Sequence, residues 1–83
     1  LWELEWLSLS STDTSDTGVA RLSGLSKLRS LDLSWTNVSD AGLKTLHLLA
    51  SLETLNLSFN YERITSAAAN KIRSMRKLTE LYM

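Results

Sequence analysis

Leucine recurs along this chain at a spacing that changes character within every two dozen residues. From Leu28 the order LRSLDL places Leu31 and Leu33 in strict alternation with Ser30, Asp32 and Ser34. The same order opens at Leu4 (LEWLSL), Leu52 (LETLNL) and Leu78 (LTELYM), so the starts lie 24, 24 and 26 residues apart. Alternation at period two predicts strands with one buried face, near residues 6–9, 30–33, 54–57 and 80–82. After the first three strands the apolar spacing lengthens towards 3.6, through Val19, Leu22 and Leu25, then Leu43, Leu46 and Leu49, then Ala69, Ile72 and Met75. Short helices are expected there, near 16–22, 40–47 and 66–75.

Each connection is too long for a hairpin and returns to an equivalent position, so the strands should pair in parallel, about 4.8 Å apart. Residues on the far side of the leucines then line up in rows on an open face: Trp6, Ser30, Thr54 and Glu80, and beside them Ser8, Asp32, Asn56 and Tyr82. Just past two of the strands stand Trp35 and Phe59, equivalent to one another.

A repeat of this length carrying LxxLxL, continued as LSSTDTSDTGV and LSWTNVSDAGL, resembles the leucine-rich repeat family. The resemblance spans residues 1–83 as repeats 4–27, 28–51 and 52–77 with a partial unit at 78–83. It implies an α/β fold, a right-handed solenoid with a parallel β-sheet on the concave face and short helices or turns on the convex face. The LSxTxVSDxGLxxL form is similar to repeats in F-box-type ubiquitin-ligase adapters and in many bacterial and protist proteins. The cysteine that such adapters often carry is missing here, and so is the proline of plant receptor repeats.

Where the chain leaves each strand stand Thr12, Thr36 and Asn60. Backbone groups exposed by that turn need partners inside, so all three are expected to be buried turn residues. A hydroxyl serves fewer partners than an amide, which predicts weaker bonding in the first two turns. Ser15-Asp16, Ser39-Asp40 and Thr65-Ser66 precede the helical segments and are expected to cap their free N–H groups, with Asp16 and Asp40 also favouring the helix dipole. Gly18 and Gly42 are expected to let a helix approach its neighbour; Ala68 stands in the third unit. That unit also carries two extra residues within Tyr61-Glu62-Arg63, a surface-loop insertion of the kind that sometimes holds function.

Composition narrows the chemistry. At 83 residues the chain forms one domain at most, and its eighteen leucines must supply an efficient core. Leu1 occupies the place of Leu25 and Leu49, and neither end carries a polar capping repeat. A fragment of a longer repeat protein is therefore expected, able to self-associate through uncapped ends around Leu1, Leu4 and Leu81. Formal charge is zero, which exerts no long-range pull on nucleic acid or an anionic membrane, and no apolar run or leader points to a membrane. Cysteine is absent and His47 stands alone, so no thiolate zinc site and no nucleophile-base-acid set is assembled. Neither enzyme activity nor a cofactor or metal is expected.

Lys71, Arg73, Arg76 and Lys77 cluster near the end of the third helix, where cations serve the dipole, and no aromatics interleave them as a nucleic-acid surface would require. Glu5, Arg29 and Glu53 share one position in three units and should alternate in charge across the sheet. Asn37-Val38-Ser39 and Asn56-Leu57-Ser58 match the glycosylation triplet. The open face remains the strongest candidate. Asp32, Trp35, Asn56 and Phe59 are its expected partner-binding residues, in a module that recognises a protein or peptide. The alternative is a structural spacer within a longer receptor or F-box-type adapter.

Overall fold

A computed structural model describes residues 3–60, 64–73 and 75–83, apart from the side chains of His47, Ala69 and Lys71. Leu1, the Tyr61-Glu62-Arg63 insertion and the surroundings of the His47 side chain thus lie outside the described residues. Four strands, β1 (Trp6–Ser8), β2 (Ser30–Asp32), β3 (Thr54–Asn56) and β4 (Glu80–Tyr82), form one sheet in chain order. All three pairings are parallel and in register by repeat position: Leu7 lies beside Leu31, Leu31 beside Leu55, and Leu55 beside Leu81. The extra residues of the third unit are thus absorbed before β4 and leave the register intact.

Between strands the chain returns through α1 (Asp16–Ala20), α2 (Asp40–Leu43) and α3 (Ser66–Arg73). The first two helices are shorter than the apolar spacing predicts. Arg21–Gly24 and Leu46–Leu48 are 3₁₀ turns instead. A 3₁₀ segment rises about 2.0 Å per residue against 1.5 Å for an α-helix, so fewer residues carry the chain back to the next strand while Leu46 still points inward.

The core lies between the sheet and these return segments. Leu28, Leu31 and Leu33 of the second unit stack on Leu52, Leu55 and Leu57 of the third, all at most 2% exposed, and Val19, Val38, Leu46 and Leu49 close over them. Leu4, Leu7, Leu9, Leu78 and Leu81 pack on the same cluster but remain partly exposed, each in a unit covered on one side only by the described residues.

Gly42 confirms the expected close approach. A β-carbon there would stand 2.5 Å from Asp16 Oδ1 and 3.0 Å from the Asp16 α-carbon. At Gly18 the equivalent carbon would meet, among the described residues, only Thr14 Cγ2, at 3.4 Å, so no approach among them explains that glycine.

The capping expectation needs correction. Ser15 and Ser39 occupy the N-cap positions of α1 and α2 with extended backbone, yet neither makes a side-chain cap hydrogen bond. The carboxylates instead reach forward by one unit. Asp16 Oδ1 accepts from the Ser39 N–H at 2.7 Å and Oδ2 from its hydroxyl at 2.6 Å, while Asp40 accepts from the N–H and hydroxyl of Thr65 at 2.9 and 2.6 Å. A side chain satisfying two donors on the next unit ties neighbouring turns together, which a cap on its own helix would not do.

The turn residues also differ from expectation. Thr36 and Asn60 are buried, but Thr12 is exposed, in a unit that no other described unit covers on that side. Nor is the second turn poorly bonded. Thr36 donates to the Leu33 carbonyl, and Asn60 completes the turn from the third unit: its Oδ1 accepts from the Thr36 N–H at 3.0 Å and its Nδ2 donates to Leu33 O at 2.8 Å. The same amide donates to Leu57 O at 3.1 Å within its own turn. One asparagine therefore serves two turns.

Candidate functional site

The strands are three residues long, and the residues just past their ends set the character of the open face. Ser11, Trp35 and Phe59 all adopt left-handed backbone, with φ of 60°, 55° and 66°. None is glycine, and for bulky aromatics such a conformation is a real outlier. The chain needs it to turn off the sheet while keeping contact with the next unit: the Ser11 N–H donates to Ser34 O at 3.0 Å and the Trp35 N–H to Ser58 O at 3.1 Å.

Because the backbones of these residues are equivalent, their side chains project in register. The Trp35 and Phe59 rings stack with centroids 4.4 Å apart and planes 13° from parallel, a spacing close to that between strands. Packing on each other covers only one face of each ring. Trp35 stays 58% exposed and Phe59 55%.

On the strands that lead into these turns, the polar row is partly locked. Asp32 Oδ1 accepts from the Ser34 N–H at 2.9 Å and the Ser34 hydroxyl at 2.7 Å; Asn56 Oδ1 accepts from the Ser58 N–H at 2.9 Å. Ser34 Oγ lies 2.9 Å from Ser10 Oγ, extending the row to the first unit. Asp32 and Asn56 are themselves cross-strand neighbours in the register. Of the four residues expected from the sequence, Trp35 and Phe59 are thus brought together as a stack, and Asp32 and Asn56 as a cross-strand row. Their inner oxygens hold the turns, leaving Asp32 Oδ2 and the Asn56 amide nitrogen without a hydrogen bond among the described residues.

At the far strand, the Tyr82 hydroxyl donates to Glu80 Oε2 at 2.6 Å, and that bond and charge push the phenol pKa up. Trp6, 64% exposed, stands at the opposite margin. The edge from which the strands enter carries the predicted charge alternation. Arg29 lies 3.0 Å from Glu53 and 3.6 Å from Glu5, and its hydrogen bond to Glu53 raises its pKa further. Lys27, Ser51 and Lys77 complete a shallow depression of about 340 Å³ around these paired charges. A second cleft of about 180 Å³ separates α2 from α3 between Leu43, Ala67 and Ala68. It is smaller than the ~300 Å³ at which ligand pockets begin.

Two signals escaped the sequence reading. The left-handed turns were unmarked, since none of their residues is glycine. The Asp-to-next-unit link was written as an Asp at 16 or 40 followed by a hydroxyl residue at 39 or 65, but local capping explained the same residues.

No curated protein matches the chain. A family model described as Leucine Rich repeat matches residues 24–46, the span from the end of the first unit through β2 and α2. Repeats of this family generally mediate protein–protein interaction and are typically non-enzymatic binding modules. The matched repeat, the parallel unit-by-unit sheet and the stacked leucine core together support a leucine-rich repeat family for this chain.

Proposed function

We propose that this chain binds a protein or peptide partner on the open face of its sheet, across Asp32, Trp35, Asn56 and Phe59. The observation that carries the reading is the Trp35–Phe59 pair. Two large rings occupy left-handed backbone, an unfavourable conformation for them, and both remain more than half exposed. Strain of this kind, about 1–3 kcal/mol per residue, persists where it serves a site. Exposed aromatics on a rigid frame are what partner-binding surfaces use as anchors, beside polar groups free to bond. The basic residues Arg73, Arg76 and Lys77 stand on the return segment after the third strand, not on this face.

Peptides selected from an unbiased display library against the immobilised chain supply the test. Trp35→Ala and Phe59→Ala should each weaken the selected peptides at least tenfold. Joint replacement of Arg73, Arg76 and Lys77 by Gln should leave them unchanged. Binding that survives both aromatic changes, or that collapses with the basic ones and yields to single-stranded DNA, would defeat the proposal and favour a nucleic-acid ligand.

A further inference from the structure

Building on that reading of the open face, we infer that the stacking place beside Trp35, left unfilled by Ser11, receives an arginine guanidinium of the partner, with Asp32 as its countercharge.

The place is defined by the repeat. Positions 11, 35 and 59 share one backbone conformation, and the Ser11 and Trp35 N–H groups make the same bond to the next unit. One step from Phe59 along this ladder is Trp35; one step further is Ser11, whose short, exposed side chain offers no ring. The Trp35 face turned away from Phe59 therefore lies over an open position shaped for a flat group about 4.4 Å away, the spacing of the existing pair.

Charge selects which flat group. Among the described strand residues, the open face carries two carboxylates, Asp32 and Glu80, and no cation. Glu80 is engaged by the Tyr82 hydroxyl on the fourth strand. Asp32 belongs to the strand that leads into Trp35, and its Oδ2 has no hydrogen-bond partner among the described residues. Arg29, at the other end of that strand, is held by Glu5 and Glu53. A neutral aromatic side chain would stack equally well but leave the carboxylate uncompensated. A guanidinium does both: it is planar, stacks on indole, the strongest cation–π surface, and presents N–H donors to a carboxylate.

The probes are the tripeptides acetyl-Gly-Arg-Gly-amide and its Lys, citrulline and Tyr counterparts, titrated against the ¹⁵N-labelled chain with the Trp35 indole N–H as reporter. The arginine peptide should shift that resonance saturably, with lysine weaker and the uncharged citrulline at least fivefold weaker. Asp32→Asn should bring arginine down to the citrulline level. Ser11→Phe, which puts a ring in the place by the same backbone conformation Phe59 tolerates, should abolish the shift. Equal affinity for arginine and citrulline, or arginine binding that survives Ser11→Phe, would overturn the assignment. Preference for tyrosine would overturn the cation while leaving the face as a binding surface. Silence of Trp35 towards all four peptides would overturn the stacking place; the binding surface itself is tested separately by the library-selected peptides and their response to Trp35→Ala and Phe59→Ala.

Discussion

The Asp16 carboxylate holds both the N–H and the hydroxyl of Ser39, 23 positions on, at 2.7 and 2.6 Å, and the same oxygen that takes the N–H would collide with any β-carbon at residue 42. One aspartate thus fixes where the next unit's helix begins and how near it comes. Gly42→Ala should destabilise by about 1–3 kcal/mol, the usual cost of forcing extra volume into packed surroundings. Gly18→Ala meets nothing closer than ordinary contact and gains helix propensity, so it should be neutral or stabilising by up to about 1 kcal/mol. Urea unfolding of the two variants followed by circular dichroism separates them; equal effects would mean the Asp16 contact does not set the spacing.

The second link of this kind predicts a dependence on acid. The Thr65 hydroxyl, then its N–H, hold the Asp40 carboxyl below its usual value of 3.8. A folded pKa below the unfolded one means that the unfolded chain binds the proton more readily, so stability rises with pH across that interval. The contribution is complete above the unfolded value and disappears as pH falls through the folded one. Asp40→Asn should therefore remove part of the loss of stability below about pH 4. A pH-melting series in which parent and variant fall in parallel through this window would contradict it.

Central leucines supply the largest single effects. Leu31 and Leu55 lie side by side in the register and are at most 1% exposed, each enclosed by units that cannot collapse onto a void without breaking the stack. Leu31→Ala and Leu55→Ala should each cost roughly 2–5 kcal/mol. Melting temperatures within a few degrees of the parent for both would show that these side chains are not the core.

Asn60 predicts a loss shared between two turns. Replacement by Ala removes the Asn60 amide from the Thr36 N–H and from the Leu33 and Leu57 carbonyls together, of which Leu33 O keeps the Thr36 hydroxyl, and a buried group left short of its bonds costs ~1–3 kcal/mol where water cannot enter. Asn60→Thr copies the residue of the second unit and should restore the bond within its own turn but not the one to Leu33. Its stability should fall between that of the parent and Asn60→Ala. Identical stability of the Thr and Ala variants would show that only the cross-unit bonds matter.

These cases mark what was legible in the sequence. Leucine alternation and the 24-residue return were sufficient for strand positions and parallel register, because burial of one face leaves a period-two pattern no other element shares. Helix length was less legible: Leu22 and Leu46 keep a helical spacing whether the backbone winds as α or 3₁₀. Asp16, Asp40 and Asn60 were recognised as structural but assigned to their own units. Local rules see capping within four residues, whereas these side chains satisfy donors some 23 to 25 positions away. Of the face, the sequence placed Trp35 and Phe59 at equivalent positions; that they stack, and that they do so from left-handed backbone, depends on the turn geometry.

The stacked pair gives the sharpest contrast between stability and binding. Removing either ring forfeits a stacking contact of ~0.5–1.5 kcal/mol, but alanine or asparagine at an exposed site leaves no cavity, and asparagine tolerates left-handed backbone better than an indole does. Trp35→Asn should therefore leave stability within about 1 kcal/mol of the parent, and Trp35→Ala and Phe59→Ala should stay close to it. If the rings are anchors, the same alanine changes should weaken a bound protein partner by ~2 kcal/mol or more each. The double variant should lose less than the sum of the two single losses, since each ring holds the other in place. Calorimetric titration of a library-selected peptide alongside thermal melts reads both quantities. Lowered melting temperatures with unchanged affinity would identify the rings as cover for the sheet and remove them from the binding surface.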